Sequence, residues 1–122
     1  MRIHIKPEEP RKLYWLDRMG MLVMADVPCF WGEPNEEARS AYENEWPDML
    51  RRDANHPGIF AWVMFNETWG LFTQEGTKRV YLKETQEWVR SVYRRAKALE
   101  AVSRGQDTLR SCVVRFRKSP AR

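Results

Sequence analysis

The stretch IFAWVMF at residues 59–65 contains seven apolar residues in succession. A run of this length without polar alternation is typical of a strand that is covered on both faces, as in a parallel sheet. A similar run, MLVMA at residues 21–25, occurs earlier and is followed by Asp26. The two runs are separated by enough residues for a helical connection. The pattern therefore predicts parallel strands joined by a helix and an α/β fold.

Three segments around these strands predict helices. The first covers residues 11–19 and is followed by Gly20, which suits the end of a helix. The second begins after Asn35, a residue type preferred as an N-cap, and stops near residue 55. The third runs from about residue 82 to 99. Helical spacing predicts that these helix residues face the sheet and form the core: Leu13, Leu16, Met19, Tyr42, Trp46, Trp88, Val89, Val92, Tyr93, Ala96 and Leu99. Trp62, on the second apolar strand, is also predicted to lie in the core.

Length and charge limit the classes of protein that fit. A chain of 122 residues with 43% apolar and 31% charged residues is typical of one globular domain at most. Residues 1–100 carry 15 Lys and Arg against 16 Asp and Glu, whereas residues 101–122 carry six against one. The main body therefore lacks the basic surface that tracks a phosphate backbone, so no nucleic-acid partner is expected.

No membrane partner is expected either. No apolar run approaches the roughly 20 residues that a membrane helix needs. The start of the sequence shows no secretory signal, because it leads directly into Pro7 and two acids, which favours the cytoplasm. The two histidines, His4 and His56, are far apart in sequence, and Cys29 has no paired His or Cys beside it. We therefore expect no metal and no cofactor, and a free thiol at Cys29.

The acidic residue best placed for catalysis is Glu67. It comes directly after the second apolar strand, where a carboxyl leaving a buried sheet would be partly desolvated, which suits a general acid. Asn66 beside it can donate and accept hydrogen bonds to a hydroxylated ligand. Trp31 and Trp69 offer flat apolar faces that suit the C–H faces of sugar rings. The alternative is that Asn66 and Glu67 only cap the following turn.

Residues 56–71, HPGIFAWVMFNETWGL, resemble the fourth-strand region of glycoside hydrolase family 2, the β-galactosidase and β-glucuronidase family. In that family a His-Pro-x-Ile start leads through a Trp to an Asn-Glu pair. The segment at residues 2–4 resembles the family's Arg and His at the end of strand 2. The segment DRMGMLV at residues 17–23 resembles its entry to strand 3, and Asp26 takes the place where many members carry a Glu.

The resemblance implies a partial (β/α)8 TIM barrel that runs from the end of strand 2 through helix 4. Residues 1–100 would then be a fragment of the catalytic domain. Residues 101–122 form a basic tail that does not match the family; another reading frame or a truncated gene end would account for it. An RNA-binding or membrane-surface tail is the functional alternative.

The resemblance also implies a retaining glycosidase that acts on a carbohydrate substrate. Glu67 would be the general acid/base, and Asn66 would bind the sugar 2-hydroxyl. His4 and Asp26 would contact the sugar or support residues that do; for His4 a structural role at the end of the barrel is an equal alternative. Trp31 and Trp69 would line the substrate site.

Two features depart from the family pattern or complicate it. The second carboxylate, on strand 7 in the family, has no counterpart here, since Glu75, Glu84 and Glu87 lie in the following loop and helix. The isolated chain is therefore expected to be inactive, and the alternatives are a non-catalytic carbohydrate-binding half-barrel or a non-functional gene remnant. Two covered strands would also leave open edges, with Val23, Ala25, Ala61 and Val63 exposed, so self-association through the strand edges is expected.

His56 lies before the second strand, at the opposite end from Glu67. We expect it to be structural, together with Arg52 and Asp53 on the same lower face of the sheet. The sequence does not indicate which sugar or linkage would be recognised.

Overall fold

The computed structural model describes residues 1–104 and 111–114 of the chain. Along the chain the elements are β1 (Arg2–Ile3), α1 (Pro10–Arg18), β2 (Val23–Asp26), α2 (Glu36–Asp53), β3 (Ile59–Phe65), β4 (Thr73–Glu75), β5 (Lys78–Val80), α3 (Lys83–Arg104) and β6 (Ser111–Val114). Four strands form one parallel sheet in the order β1-β2-β3-β6. The predicted α/β class and the parallel pairing of the two apolar strands are confirmed.

The register of the sheet brings three strand ends to one edge. Ile3 pairs with Ala25, and Asp26 pairs with Val63. Because the strands are parallel, the residues that follow them emerge at the same carboxyl edge. Residues 4, 26 and 66 are therefore placed side by side by the sheet itself.

β3 has the predicted bounds, but β2 begins two residues later than the apolar run suggests. Gly20 adopts a left-handed φ of 67°, and the amide of Met21 donates to the carbonyl of Leu16 at 2.9 Å. This closure of α1 extends to Met21, so Met21 and Leu22 lie between the turn and β2, where both are exposed. Met19 is also exposed, so its predicted place in the core is wrong.

The helices cover the sheet with the face that their spacing predicts. The Asn35 side chain accepts from the amide of Ala38 at 2.8 Å, which confirms it as the N-cap of α2. The hydroxyl of Tyr42 donates to the carbonyl of Met64 at 2.5 Å and so ties α2 to β3. The fully buried residues of the predicted core are Leu13, Leu16, Tyr42, Trp46, Trp62, Val89, Val92 and Ala96, while Trp88, Tyr93 and Leu99 are half-buried against them.

The predicted exposure of four strand residues is wrong. Val23, Ala25, Ala61 and Val63 are all buried. Val23 and Ala25 belong to the main hydrophobic cluster. Ala61 and Val63 lie on β3, which is an interior strand paired with β2 on one side and β6 on the other. β1 and β6 are the outer strands of the described sheet.

The chain continues the fold past the expected boundary at residue 100. α3 extends to Arg104, and Ser111–Val114 pairs in parallel with β3. The segment expected to be a basic tail thus contributes a helix end and a strand. The rest of it, residues 105–110 and 115–122, lies outside the described residues.

The amino end of β3 is held by Asp17. One of its carboxylate oxygens lies 2.6 Å from Nδ1 of His56, and the other accepts from the amide of Gly58 at 2.7 Å. A Cβ atom at Gly58 would lie 2.6 Å from this carboxylate, so only glycine allows the approach. His56 is structural, as the sequence indicates, and the Arg52–Asp53 ion pair lies close to it in the chain.

Glu43 joins the two long helices. Its carboxylate accepts from the indole N–H of Trp46 on α2 at 2.9 Å, from that of Trp88 on α3 at 2.7 Å, and from the guanidinium of Arg95 on α3. Burial raises the pKa of Glu43, but the hydrogen bonds from Arg95, Trp46 and Trp88 outweigh it and hold the pKa below its ordinary value. Folding therefore favours the charged carboxylate.

Glu43→Gln is expected to lower the free energy of unfolding at pH 7 by about 1–3 kcal/mol, because hydrogen bonds to a charged acceptor are lost. A lowered pKa contributes stability above the ordinary value and loses it as pH falls through the folded value. The difference between Glu43→Gln and the parent should thus shrink below about pH 4.5. Urea unfolding at several pH values measures it. The exposed Glu45 on the same helix gives the control Glu45→Gln, and equal effects of the two changes would contradict the prediction.

Candidate functional site

Asp26 is the centre of the polar cluster at the carboxyl edge of the sheet. Its side chain is fully buried and accepts from Nε of Arg2 at 2.9 Å and from Nη2 of Arg2 at 2.8 Å. Nδ1 of His4 lies 3.1 Å from the same carboxylate, and the backbone amide of Ile5 donates to it at 3.1 Å. The groups that contact the carboxylate come from β1 and from the residues that directly follow β1. The carboxylate of Asp26 therefore holds both Arg2 and His4 at this edge of the sheet.

The contact with Asp26 orients the imidazole of His4. If Nδ1 donates to the carboxylate, Nε2 is left as an acceptor on a side chain that is 53% exposed. The imidazole can then accept a hydrogen bond from a ligand hydroxyl.

Arg2 connects Asp26 to Asn66. Its Nη2 donates to Oδ1 of Asn66 at 2.6 Å. The guanidinium has only donors, so it fixes the amide oxygen towards itself and turns the amide NH2 to a different partner. The hydrogen bond with Asp26, and then the charges of Asp26 and Glu67, raise the pKa of Arg2 against the opposing effect of burial. The cation is therefore permanent and lies within electrostatic reach of Glu67.

Glu67 follows Asn66 in a tight turn. Glu67 and Thr68 both have left-handed backbone, with φ of 52° and 64°. The turn is closed by hydrogen bonds from the amide of Trp69 to Asn66 at 3.3 Å and from Leu71 to Thr68 at 3.1 Å. Non-glycine residues rarely adopt this conformation, and such strain is concentrated at functional sites.

The side chain of Glu67 is exposed, so the partial desolvation expected from its place after the sheet is wrong. The physical reason is the turn itself. The left-handed backbone turns the chain away from the sheet directly after β3, and the buried positions pass to Asn66 and Thr68 on either side. The carboxylate is left facing solvent next to the indole of Trp69.

Two indoles form a wall beside the carboxylate. Nε1 of Trp69 donates to Oε2 of Glu67 at 3.3 Å. The ring of Trp31 lies 4.9 Å from that of Trp69, inclined by 37°, and is 66% exposed. The structure therefore brings Glu67, Trp69 and Trp31 together at one surface.

Cys29 lies behind this wall and donates from Sγ to the carbonyl of Trp69 at 3.3 Å. Burial raises the pKa of its thiol to about 12. The group stays protonated at neutral pH, which agrees with the expected free thiol and gives it no nucleophilic role.

Sequence reasoning missed the hairpin that completes the wall. β4 and β5 are antiparallel and are joined by Gly76 and Thr77, with Gly76 at a φ of 60°. The guanidinium of Arg79 on β5 lies 5.3 Å from the ring centre of Trp69 and 4.5 Å from that of Phe72. A two-residue loop that begins with glycine is a hairpin signal, but its flanking strands are short and polar.

Within residues 1–104 and 111–114, no three His, Cys, Asp or Glu side chains are grouped so that they could hold a metal ion. In the same part of the chain, no helix combines the length and apolar character needed to cross a bilayer.

No protein-family model matches the chain, but individual relatives do. It is 36% identical over 73 residues to a β-galactosidase of Bacteroides ovatus, covering 55% of this chain and 9% of the relative. It is 34% identical over 58 residues to a putative β-glucuronidase of Formosa agariphila, covering 43% and 6%. It is 33% identical over 63 residues to a β-galactosidase of Thermoanaerobacterium thermosulfurigenes, covering 51% and 9%.

Two solved structures with a similar fold are of β-glucuronidases. The Bifidobacterium dentium enzyme, determined with coumarin-3-O-glucuronide, matches 93% of this chain and 17% of its own, with a TM-score of 0.67 and 22% identity. β-Glucuronidase 3 of Bacteroides uniformis matches 96% and 14%, with a TM-score of 0.64 and 21% identity. The chain thus spans less than a tenth of the length of the curated relatives given above. The resemblance to the β-galactosidase and β-glucuronidase family is confirmed.

Proposed function

We propose that this chain is part of the catalytic domain of a retaining β-glycosidase that hydrolyses O-glycosidic bonds. In this proposal the sheet is a section of a (β/α)8 barrel, from the end of strand 2 through helix 4. The observation that carries the proposal is the hydrogen-bonded series from Asp26 through Arg2 to Asn66. It holds the Asn66 amide beside Glu67 at the carboxyl edge of parallel strands, where such folds bind ligands.

Glu67 serves as the general acid/base. In the first step its carboxyl donates a proton to the glycosidic oxygen as the bond to the leaving group breaks. In the second step the carboxylate takes a proton from the water that attacks the sugar. Its exposed position beside Trp69 gives it access to both the leaving group and the water.

Asn66 and His4 serve as ligands of the sugar. The amide NH2 of Asn66, oriented by Arg2, donates to the 2-hydroxyl, a contact that strengthens in the transition state. Nε2 of His4, oriented by Asp26, accepts from a further hydroxyl. Asp26 and Arg2 position these two groups without contacting the sugar.

A retaining mechanism also needs a nucleophilic carboxylate about 5–5.5 Å from the acid/base. We assign that group to a part of the barrel outside these 122 residues, because Glu75 and Glu84 follow Glu67 on the hairpin and on α3. The proposal supposes no cofactor.

The test compares the 122-residue chain with a completed barrel. The isolated chain is expected to give no turnover of aryl β-galactosides or aryl β-glucuronides, since it cannot form the glycosyl-enzyme. A chimera in which the first part of the Bacteroides ovatus barrel, through strand 1 and the start of strand 2, precedes Met1 and the rest of that barrel follows Arg104 is expected to hydrolyse an aryl β-galactoside. Release of 4-nitrophenol measures the turnover by the isolated chain and by the chimera.

Turnover by the isolated chain that is lost in Glu67→Gln would contradict the assignment of the nucleophile to another segment. A folded chimera without activity would overturn the glycosidase proposal itself. Circular dichroism of each protein shows whether it is folded.

A further inference from the structure

Arg79 is an exposed cation held against an aromatic surface. Its guanidinium stacks on both Trp69 and Phe72, at 5.3 and 4.5 Å from their ring centres. None of the ion pairs or side-chain hydrogen bonds found among residues 1–104 uses the guanidinium of Arg79. Its donors are therefore available to an anion, since stacking uses the face of the guanidinium and leaves its edge free.

The hairpin that carries Arg79 is fastened to the turn that carries Glu67. The hydroxyls of Thr68 and Tyr81 are 3.0 Å apart, just beyond the end of β5. The ring of Phe72 packs against both Trp69 and Tyr81, with centres 6.0 Å apart in each case. Arg79 is thus placed by the same contacts that place the turn, and not by a loose surface loop.

We infer that Arg79, Trp69 and Trp31 form a leaving-group subsite that prefers an aromatic group bearing a negative charge. The inference rests on the proposed function. A general acid protonates the leaving oxygen, so the groups that contact the carboxylate of Glu67 lie close to the leaving group. Trp69 touches Glu67 through its indole N–H, Trp31 extends the aromatic surface, and Arg79 supplies the only cation stacked on Trp69 in the described chain.

The experiment uses the 122-residue chain and a matched pair of probes, 4-hydroxybenzoate and 4-hydroxybenzamide. The two have nearly the same shape and differ in charge. Titration followed by the indole N–H signals in nitrogen-15 NMR spectra gives both affinities, with assignment through Trp31→Phe and Trp69→Phe. The benzoate is expected to bind about two- to fivefold more tightly, the range of an exposed ion pair.

Arg79→Gln is expected to abolish this preference while leaving the affinity for the benzamide nearly unchanged. The matched control is Arg90→Gln, which removes an exposed arginine on α3 and should keep the preference. Trp31→Ala should weaken the binding of both probes by the same factor, because both probes contact the aromatic face.

Equal affinities in the parent chain, no binding of either probe, or a preference that survives Arg79→Gln would each overturn the inference. None of these measurements needs turnover, so they are independent of the barrel chimera. An inactive chimera together with an Arg79-dependent preference would overturn the leaving-group assignment and the proposed function, and would leave an anion site on the hairpin.

Discussion

Glu67→Gln in the completed barrel is expected to slow hydrolysis of glycosides with poor leaving groups by about 10²–10⁴-fold, the usual contribution of general acid catalysis. The amide keeps the shape of the side chain and can still accept from the indole of Trp69. It carries no proton that it can give to the glycosidic oxygen. Rates for methyl or alkyl β-galactosides, measured by release of galactose, give the size of the effect.

Leaving groups of different basicity separate this role from a structural one. A dinitrophenyl glycoside needs no proton in the first step, so Glu67→Gln should still form the glycosyl-enzyme from it. Added azide should then accelerate breakdown, since an anion needs no general base. Glu75→Gln, an exposed glutamate on the hairpin, is the matched control and should change little. Unchanged rates for all leaving groups would make Glu67 a turn residue.

Asp26→Asn is expected to lower the free energy of unfolding of the 122-residue chain by about 2–3 kcal/mol, as when a buried charged acceptor is lost from a network. Asparagine has one acceptor oxygen in place of two, so it cannot satisfy both nitrogens of Arg2, the imidazole of His4 and the amide of Ile5. The NH2 group of asparagine would also lie against the hydrogen-bond donors that contact the Asp26 carboxylate.

Urea unfolding followed by circular dichroism measures the loss. Asp48→Asn is the control, because Asp48 forms a surface ion pair with Arg51 and is 79% exposed. Such pairs contribute about 0–1 kcal/mol. A loss at Asp26 no larger than at Asp48 would mean that the buried cluster does not hold the strand ends together.

The strands and helices could be predicted from the sequence where apolar patterning is strong. The run at residues 59–65 gives β3 without error, and Asn35 gives the start of α2. The start of β2 could not be read in the same way. Met21 and Leu22 are apolar, but they lie between the turn that closes α1 and β2, and hydropathy alone does not distinguish such a connecting residue from a strand residue.

The residues of the proposed site can be chosen from the sequence, but their arrangement cannot. Asn66, Glu67, Trp31 and Trp69 are indicated by their residue types and their positions after the strands. The burial of Asp26 and its contacts depend on the register between β1 and β2, which the sequence does not specify. Arg79 was missed because it belongs to a polar hairpin whose only signal is a glycine.

The left-handed backbone at Glu67 and Thr68 implies a trade-off between thermal stability and the proposed proton transfer. Glycine or asparagine accepts such a φ more readily than glutamate does. A library of variants at position 67 that is screened only for thermal resistance would thus enrich residues that cannot transfer a proton. Under the proposed function, selection for turnover in the completed barrel would return glutamate. Engineering for stability should therefore leave the end of β3 unchanged and work on the helices.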